Sequence, residues 1–297
     1  MKRISIQLLL ILVCMFSAKA QFKKVKHVIL IGCDGLGAYA IPDAEMPYVK
    51  QLMDNGAWSL QARSVLPSSS AVNWASMLMG SSPTMHGYTE WGSQKPEIPS
   101  IVKHEKYGKF PSIFSVIRDQ KSKAVTAAVY SWPGVGYLIE KEAITHVLPA
   151  DDNEDVCTEM AVNTIVNEKP LFTFVHFSEP DYTGHGIGHK TGAYYDMLEK
   201  VDARIGKILD AVKKAGLADE TIIMITADHG GINKGHGGKS LDEVQVPWII
   251  SGPGIKKNTE LKSTIITYDT AATLAAILGL EQPQSWRGKA VHEAFIK

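Results

Sequence analysis

The sequence lacks several features that would place it in a specialised class of protein. It has no apolar run of ~20 residues, which is the length that a membrane-spanning helix requires. It contains no internal repeat, no low-complexity tract and no Pro- or Gly-rich linker that would divide the chain. Its 31 Lys and Arg balance 31 Asp and Glu, so the composition does not indicate a nucleic-acid-binding surface.

Cysteine is also scarce, with only three residues in 297. A small scaffold held together by disulfides is therefore excluded. Cys33 lies inside an apolar segment, so we expect it and Cys157 to be buried free thiols rather than a disulfide pair.

The first 20 residues have the order of a secretory signal peptide. Two basic residues precede an apolar run over residues 8–16, and small residues end the segment at Ala20. We expect cleavage near Ala20 and export to the periplasm or the extracellular space, without a transmembrane anchor. A lipid anchor on Cys14 is the less favoured alternative, because Val13 is not the small residue that a lipoprotein cleavage site needs.

Short apolar runs alternate with helical patterns along the rest of the chain. The segment 25–33 is mainly apolar, with an unbroken apolar run from Val28, which is typical of a strand buried on both faces of a parallel sheet. Strands are predicted over 25–33, 124–130, 171–177, 221–227 and 246–251, and helices over 42–56, 71–79, 112–120, 155–167, 192–215 and 269–278. This alternation predicts an α/β fold, a three-layer αβα sandwich with a mostly parallel central sheet. We expect one domain over 21–297, with a candidate insertion or small cap at 87–109.

Several Asp and His residues follow the predicted strands directly. Because ligands of open α/β sheets bind at the carboxyl ends of the strands, we expect these side chains to meet at one edge. They are Asp34, Asp181, His185, Asp228 and His229, with His236 close behind in a glycine-rich turn. Any one of them is more often an ordinary turn or surface residue. Together, carboxylate and imidazole ligands without thiolate suit a catalytic Zn²⁺ or Mn²⁺ site.

Ser70 is the candidate nucleophile. It stands before a run of small and apolar residues that predicts a helix, and a helix N-terminus favours a phosphoryl group through its unpaired amides and its dipole. An ordinary N-cap serine has the same pattern, and a two-metal site could instead activate water. The residues alone leave these alternatives open.

Taken in chain order, these motifs resemble the alkaline phosphatase superfamily, and within it the type I phosphodiesterase/nucleotide pyrophosphatase branch. The resemblance is carried by Asp34-Gly35, by 67–80 with Pro83 and His86-Gly87, by 179–185 and by Asp228-His229-Gly230. It implies two Zn²⁺ ions, with Mn²⁺ or another divalent metal as an alternative. The implied ligands are Asp34, Ser70, Asp228 and His229 for one ion, and Asp181, His185 and His236 for the other.

The resemblance also implies an activity. Ser70 would be the nucleophile of an exported phosphoester hydrolase that acts through a phosphoseryl intermediate on small phosphodiesters or nucleotide pyrophosphates. Asn73 matches a residue that helps to hold the transferring phosphoryl oxygen. The chain departs from the branch at Ser70, where Thr is more common, and at His236, which follows Asp228 closely and has His189 as a competitor.

Three other functions are weighed against the diesterase. A phosphomonoesterase needs an additional cation near the nucleophile; the nearest Arg in sequence is Arg63, and Lys234 is a second candidate. A sulfatase would need a Cys/Ser-x-Pro-x-Arg motif, which does not surround Ser70. An exported metal-binding protein without catalysis is the alternative from another class, and the sequence does not indicate an oligomeric state.

Three aromatic residues lie near the candidate site in sequence: Tyr88, Trp91 and Tyr182. They are candidates for stacking on a base or an aryl leaving group. Ordinary wall and core positions are the more common reason for such residues.

Overall fold

The computed structural model describes residues 22–296. The expected signal peptide at 1–20, with Cys14, lies outside the described residues. Within them, eight strands form one sheet in the order β4-β3-β5-β1-β6-β7-β2-β8. The strands are β1 (His27–Cys33), β2 (Gly56–Arg63), β3 (Thr126–Tyr130), β4 (His146–Pro149), β5 (Phe172–Phe177), β6 (Thr221–Thr226), β7 (Gln245–Ser251) and β8 (Thr259–Glu260).

The centre of the sheet is parallel. Strand β1 pairs with β5 on one side and with β6 on the other, and β3 continues the parallel series to β4. Strand β7 runs antiparallel to both β6 and β2. Strand β2 therefore points the same way as β1, so that the carboxyl ends of β1, β2, β5 and β6 share one edge of the sheet.

Helices pack in two groups against this sheet. The α-helices are α1 (Pro47–Asp54), α2 (Ser70–Met79), α3 (Pro83–His86), α4 (Ile113–Gln120), α5 (Val135–Leu138), α6 (Glu154–Glu168), α7 (Asp181–Gly186), α8 (Gly192–Lys214), α9 (Leu241–Val244) and α10 (Asp269–Leu278). Helix α8 contacts α1 and α6, whereas α10 contacts α2 and α4. The predicted three-layer α/β architecture is confirmed.

The predicted strands and helices are present, but three strands were not predicted. The helix expected over 42–56 is shorter, at Pro47–Asp54, and the chain from Gly56 onward forms strand β2. Strand β2 was missed because Ser59, Gln61 and Arg63 interrupt its apolar character. Strands β4 and β8 were missed because they are only four and two residues long.

Cys33 and Cys157 are both buried free thiols, as expected. Burial raises the pKa of each thiol, so both remain protonated. Among residues 22–296, no helix combines the length and apolar character needed to cross a bilayer.

Helix α1 depends on a buried carboxylate from α8. Asp202 is 1% exposed and accepts hydrogen bonds from Tyr48 N at 3.0 Å and Val49 N at 2.9 Å. These are unpaired amides of the first turn of α1, which has no side-chain cap of its own.

We therefore expect Asp202→Ala to lower the free energy of unfolding by about 2 kcal/mol, because two buried N–H donors lose their acceptor. Urea unfolding monitored by circular dichroism measures this change. Asp196→Ala removes an exposed carboxylate of the same helix and serves as the matched control. An equal loss in both variants would contradict the capping role.

Candidate active site

Three Asp residues converge at the carboxyl ends of the central strands. Asp34 follows β1, Asp181 begins α7 after β5, and Asp228 follows β6. Asp34 N donates to Phe177 O at 2.9 Å, and Asp181 N donates to Asp34 O at 3.0 Å, so backbone contacts join the first two. Gly35 permits this approach: its φ is +71°, and a Cβ there would lie 2.7 Å from the Asp181 Cβ.

Asp34, Asp228 and His229 form the first group of candidate metal ligands, with their ligand atoms within 4.8 Å of one another. His229 Nε2 lies 3.4 Å from Asp34 Oδ1 and 3.2 Å from Asp228 Oδ2. Ser70 Oγ lies 3.2 Å from the same nitrogen, at the first residue of α2. The predicted nucleophile therefore adjoins the first group.

Asp181, His185 and His236 form the second group, under the same distance criterion. Asp181 Oδ2 lies 3.3 Å from His185 Nε2, and Asp181 Oδ1 lies 4.0 Å from His236 Nε2. The rings of His236 and His229 stack with centroids 3.7 Å apart, so the two groups are adjacent.

The three candidate His ligands are oriented by backbone carbonyls. His185 Nδ1 bonds to Lys234 O at 2.9 Å, His229 Nδ1 to Gly230 O at 2.8 Å, and His236 Nδ1 to Ser68 O at 3.0 Å. A carbonyl oxygen only accepts, so each Nδ1 carries the proton. Each Nε2 then presents a lone pair toward the carboxylates, as in metal-binding histidines.

The carboxylates each retain an oxygen without a hydrogen bond to any described residue, although all three oxygens are buried. These atoms are Asp34 Oδ1, Asp181 Oδ1 and Asp228 Oδ2. The other oxygen of Asp34 accepts from Trp74 Nε1 at 3.0 Å and His176 Nε2 at 3.3 Å. Buried oxygens without donors, facing imidazole lone pairs, fit divalent metal ions.

The electrostatics support the same interpretation. Within residues 22–296 no Lys or Arg forms an ion pair with Asp34, Asp181 or Asp228. Burial, and then the charges of Asp34 and Asp181, raise the pKa of Asp228 well above its ordinary value. Cations bound at the two groups would displace that proton and compensate the buried negative charge.

Asn73 is fully buried, and its side chain bonds to the loop before α2. Its Oδ1 accepts from Val65 N at 2.7 Å, and its Nδ2 lies 3.1 to 3.2 Å from the carbonyls of Val65, Pro67 and Ser69. Both amide hydrogens therefore have backbone acceptors. This geometry differs from the expected phosphoryl contact and instead orients the loop that carries Ser69 and Ser70.

His189, the competitor of His236, is buried beside the second group. Its Nε2 lies 3.9 Å from Asp181 Oδ1, and its ring packs against Gly184 and Gly231, where a Cβ would lie 2.4 and 2.2 Å from Nε2. Burial lowers the pKa of His189 to about 4. His189 therefore lies beside Asp181 but is not a member of the second group.

Trp74 and His176, which both bond to Asp34 Oδ2, were not among the predicted site residues. Trp74 is one helical turn after Ser70, so its spacing placed it on the same face of α2. His176 lies within β5. It gave no sequence signal, because a single His inside an apolar strand does not by itself indicate a site.

A cavity of about 590 Å³ opens beside the second group. Its lining residues are Pro67, Ser69, Glu90, Trp91, His185, His236 and Gly237. Arg63 and Lys234 do not line it; Lys234 Nζ instead donates to Gly186 O at 2.8 Å. Tyr88 is 1% exposed and Tyr182 donates to Asp152, so only Trp91 of the three candidate aromatic residues lines this cavity.

The fold and the convergence of carboxylate and imidazole ligands at its strand ends define a protein of the alkaline phosphatase superfamily. The model of the type I phosphodiesterase/nucleotide pyrophosphatase family matches residues 28–237. The chain belongs to this family, and the resemblance inferred from its motifs is confirmed.

Individual relatives show the same relationship. Mouse ectonucleotide pyrophosphatase/phosphodiesterase family member 1 is 24% identical over 259 residues, which is 80% of this chain and 28% of that protein. Bovine arylsulfatase K is 35% identical over 112 residues, or 36% of this chain and 21% of that protein. The chain thus spans less than a third of the length of these relatives.

Among solved structures, murine ectonucleotide pyrophosphatase/phosphodiesterase 5, as an inactive variant in complex with AMP, superposes with a TM-score of 0.76. It is 15% identical, and the match covers 91% of this chain and 100% of that one. At this identity the likeness describes the fold.

Trp74→Phe tests whether the indole positions Asp34 for metal. The variant removes one of the hydrogen bonds to Asp34 Oδ2, so we expect the first group to bind Zn²⁺ about 10- to 100-fold more weakly. Competition with a chelating indicator measures this affinity. Trp248→Phe, which removes a buried indole bonded to Thr270 Oγ1 at 3.1 Å, is the control, and equal weakening in both would contradict the assignment.

Proposed function

We propose that this chain is a metal-dependent phosphodiesterase that acts through a phosphoseryl intermediate on Ser70. The observation that carries this proposal is the position of Ser70 Oγ, at the N-terminus of α2 and 3.2 Å from His229 Nε2 of the first ligand group. Membership in the family supports the reaction class.

The ligands proposed for the first ion are Asp34, Ser70, Asp228 and His229; those for the second are Asp181, His185 and His236. Oxygen and nitrogen donors without thiolate favour Zn²⁺, with Mn²⁺ as the alternative. When bound, two such cations lower the pKa of the attacking hydroxyl and stabilise charge on the phosphoryl and leaving oxygens.

The residues of the chain align the reactants. Ser70 Oγ gives its proton to solvent and attacks phosphorus, the bond to the leaving oxygen breaks, and the released alkoxide takes a proton from water. Water then cleaves the phosphoserine and restores the hydroxyl. Ser70 stands at the N-terminus of α2, where the helix dipole favours a phosphoryl group. Asn73 holds the 65–69 loop, and with it the position of Ser70.

A diester is favoured over a monoester because the cavity beside the site has no Lys or Arg in its lining, within the described part of the chain. A dianionic monoester would need such a cation. Neither Arg63 nor Lys234 supplies it. A sulfatase remains disfavoured by the sequence Ala71-Val72-Asn73-Trp74 after the nucleophile.

We also infer export and a single hydrolase domain over 21–297, in which 87–109 is an insertion that borders the site. The name ectonucleotide pyrophosphatase/phosphodiesterase of one relative supports export. Segment 87–109 contains no helix or strand, and Glu90 and Trp91 within it line the cavity. A small-molecule phosphoester fits a cavity of this size.

Metal content distinguishes His236 from His189 as the third ligand of the second group. We expect His236→Ala to reduce bound Zn²⁺ from two ions per chain to about one, whereas His189→Ala retains two. Elemental analysis after gel filtration measures the stoichiometry. The reverse pattern would assign His189 as the ligand.

Ser70→Ala tests the nucleophile. We expect turnover of bis-p-nitrophenyl phosphate to fall at least about 1,000-fold while metal content is largely retained, because only the attacking oxygen is lost. Wild-type protein should also prefer this diester to p-nitrophenyl phosphate in kcat/KM. Retained activity in the variant would assign the attack to Ser69 or water, since the Ser68 hydroxyl is bonded to Gly238 O and Gly237 N.

Two outcomes would replace the proposal. No hydrolysis of either substrate by metal-loaded protein would favour the non-catalytic metal-binding alternative. A higher kcat/KM on the monoester would favour the phosphomonoesterase.

A further inference from the structure

The cavity beside the second ligand group has a wall that none of the proposed chemistry uses. Glu90 and Trp91 form this wall, opposite His185 and His236. Trp91 is 69% exposed, an unusual fraction for the largest apolar side chain. An exposed indole at the entrance of a catalytic cavity is available to contact substrate.

The wall is held firmly relative to the nucleophile. Trp91 O accepts a hydrogen bond from Ala71 N at 3.0 Å, so it caps the first turn of the helix that begins at Ser70. Ser93 Oγ accepts from Glu90 N at 3.1 Å and lies 3.0 Å from Glu90 O. The backbone that carries both side chains is therefore fixed before substrate arrives.

Hydrogen bonds to the exposed Glu97 fasten the same segment. The Glu97 carboxylate accepts from Thr89 N at 2.7 Å and from Ser93 Oγ at 2.8 Å. Such a preorganised wall loses little entropy when it binds a ligand.

The charge of the wall is negative. Apart from the histidines, Glu90 is the only ionisable residue in the lining, counting residues 22–296. Its carboxylate makes no hydrogen bond or ion pair to the described part of the chain. Nor does a Lys or Arg of that part lie over the Trp91 ring, since the cation–π contacts involve Tyr39 and Tyr107.

An exposed indole beside an unpaired carboxylate is the combination that binds an organic cation. The cavity adjoins Asp181, His185 and His236. Ser70 adjoins the first group, so an in-line attack directs the departing oxygen away from Ser70 and toward this second group. We propose that the substrate is a phosphodiester whose leaving group carries a positive charge, held by Trp91 and Glu90. This inference rests on the proposed function and adds the chemical class of the leaving group.

The reaction balances in two steps. Ser70 Oγ gives its proton to solvent and bonds to phosphorus while the phosphorus–oxygen bond to the cationic alcohol breaks, and the departing alkoxide takes a proton from water. Water then cleaves the phosphoserine to release a phosphomonoester and the free serine hydroxyl. No other reactant is required.

Three methyl aryl phosphates with matched reactivity test the charge preference. Their phenol leaving groups carry, two carbons from the ring, a trimethylammonium group, an uncharged tert-butyl group or a sulfonate. We expect wild-type kcat/KM to decrease in that order. In Glu90→Gln and in Trp91→Leu, the ratio of the cationic to the uncharged substrate should fall about five- to tenfold.

Glu105→Gln removes another exposed carboxylate of the same inserted segment, outside the cavity lining, and should leave the ratio unchanged. The wild-type ratio should also decrease as ionic strength rises, whereas a merely structural effect of Glu90 would not respond to salt. A ratio that is insensitive to Glu90→Gln, or that changes equally in Glu105→Gln, would overturn the inference.

Bis-p-nitrophenyl phosphate, assayed in parallel, separates the two proposals. If the protein does not hydrolyse this diester, the proposed function fails. If the protein hydrolyses it but Glu90→Gln leaves the ratio of the cationic to the uncharged substrate unchanged, only the leaving-group inference fails. Glycerophosphoethanolamine and phosphatidylethanolamine vesicles distinguish a soluble diester from a lipid headgroup as the source of the cation. The faster of these two reactions should slow in Glu90→Gln, and an unchanged rate would contradict the inference.

Discussion

The structure of the site depends on one electrostatic constraint: three buried carboxylates face one another without a Lys or Arg partner among the described residues. In a protein interior, such a cluster is costly unless protons or cations compensate it. Without metal, burial and the charges of Asp34 and Asp181 raise the pKa of Asp228, which favours a proton on its carboxyl group. Divalent cations at the two groups would compensate the same charge.

The sheet allows this cluster because β5, β1 and β6 are adjacent and parallel. Each strand delivers one Asp to the same edge. The imidazoles complete the groups with Nε2 directed inward, because each Nδ1–H donates a hydrogen bond to a backbone carbonyl. One oxygen of Asp34, Oδ2, is fixed by the Trp74 indole of α2 and the His176 imidazole of β5. The geometry is thus established by contacts outside the ligand set, as metal sites generally require.

The sequence permitted prediction of the sheet core and of the Asp residues that meet at its edge, because long apolar strands and strand-end Asp residues are local signals. The division of the ligands into two groups came from the family motifs. Strand β2 was not predicted, because Ser59, Gln61 and Arg63 interrupt its apolar character. Its pairing with β7 is a contact between segments distant in sequence. The orientation of Asn73 was equally hidden: its spacing from Ser70 suggested a phosphoryl contact, but tertiary contacts decide which groups its amide meets. The roles of His176 and Trp91 likewise depend on neighbours that are distant in sequence.

The hydrogen bond from Ala71 N to Trp91 O joins the inserted segment to the first turn of the nucleophile helix. Lengthening or shortening the segment would therefore disturb the alignment of the attacking oxygen, whereas exchanging the side chains at 90 and 91 would leave that backbone contact in place. Substrate selectivity could therefore change through point substitutions that keep the backbone of this segment. A change in the length of the segment would instead disrupt the hydrogen bond to Ala71 N. Libraries built to alter its specificity should accordingly vary those two side chains and keep the segment length constant.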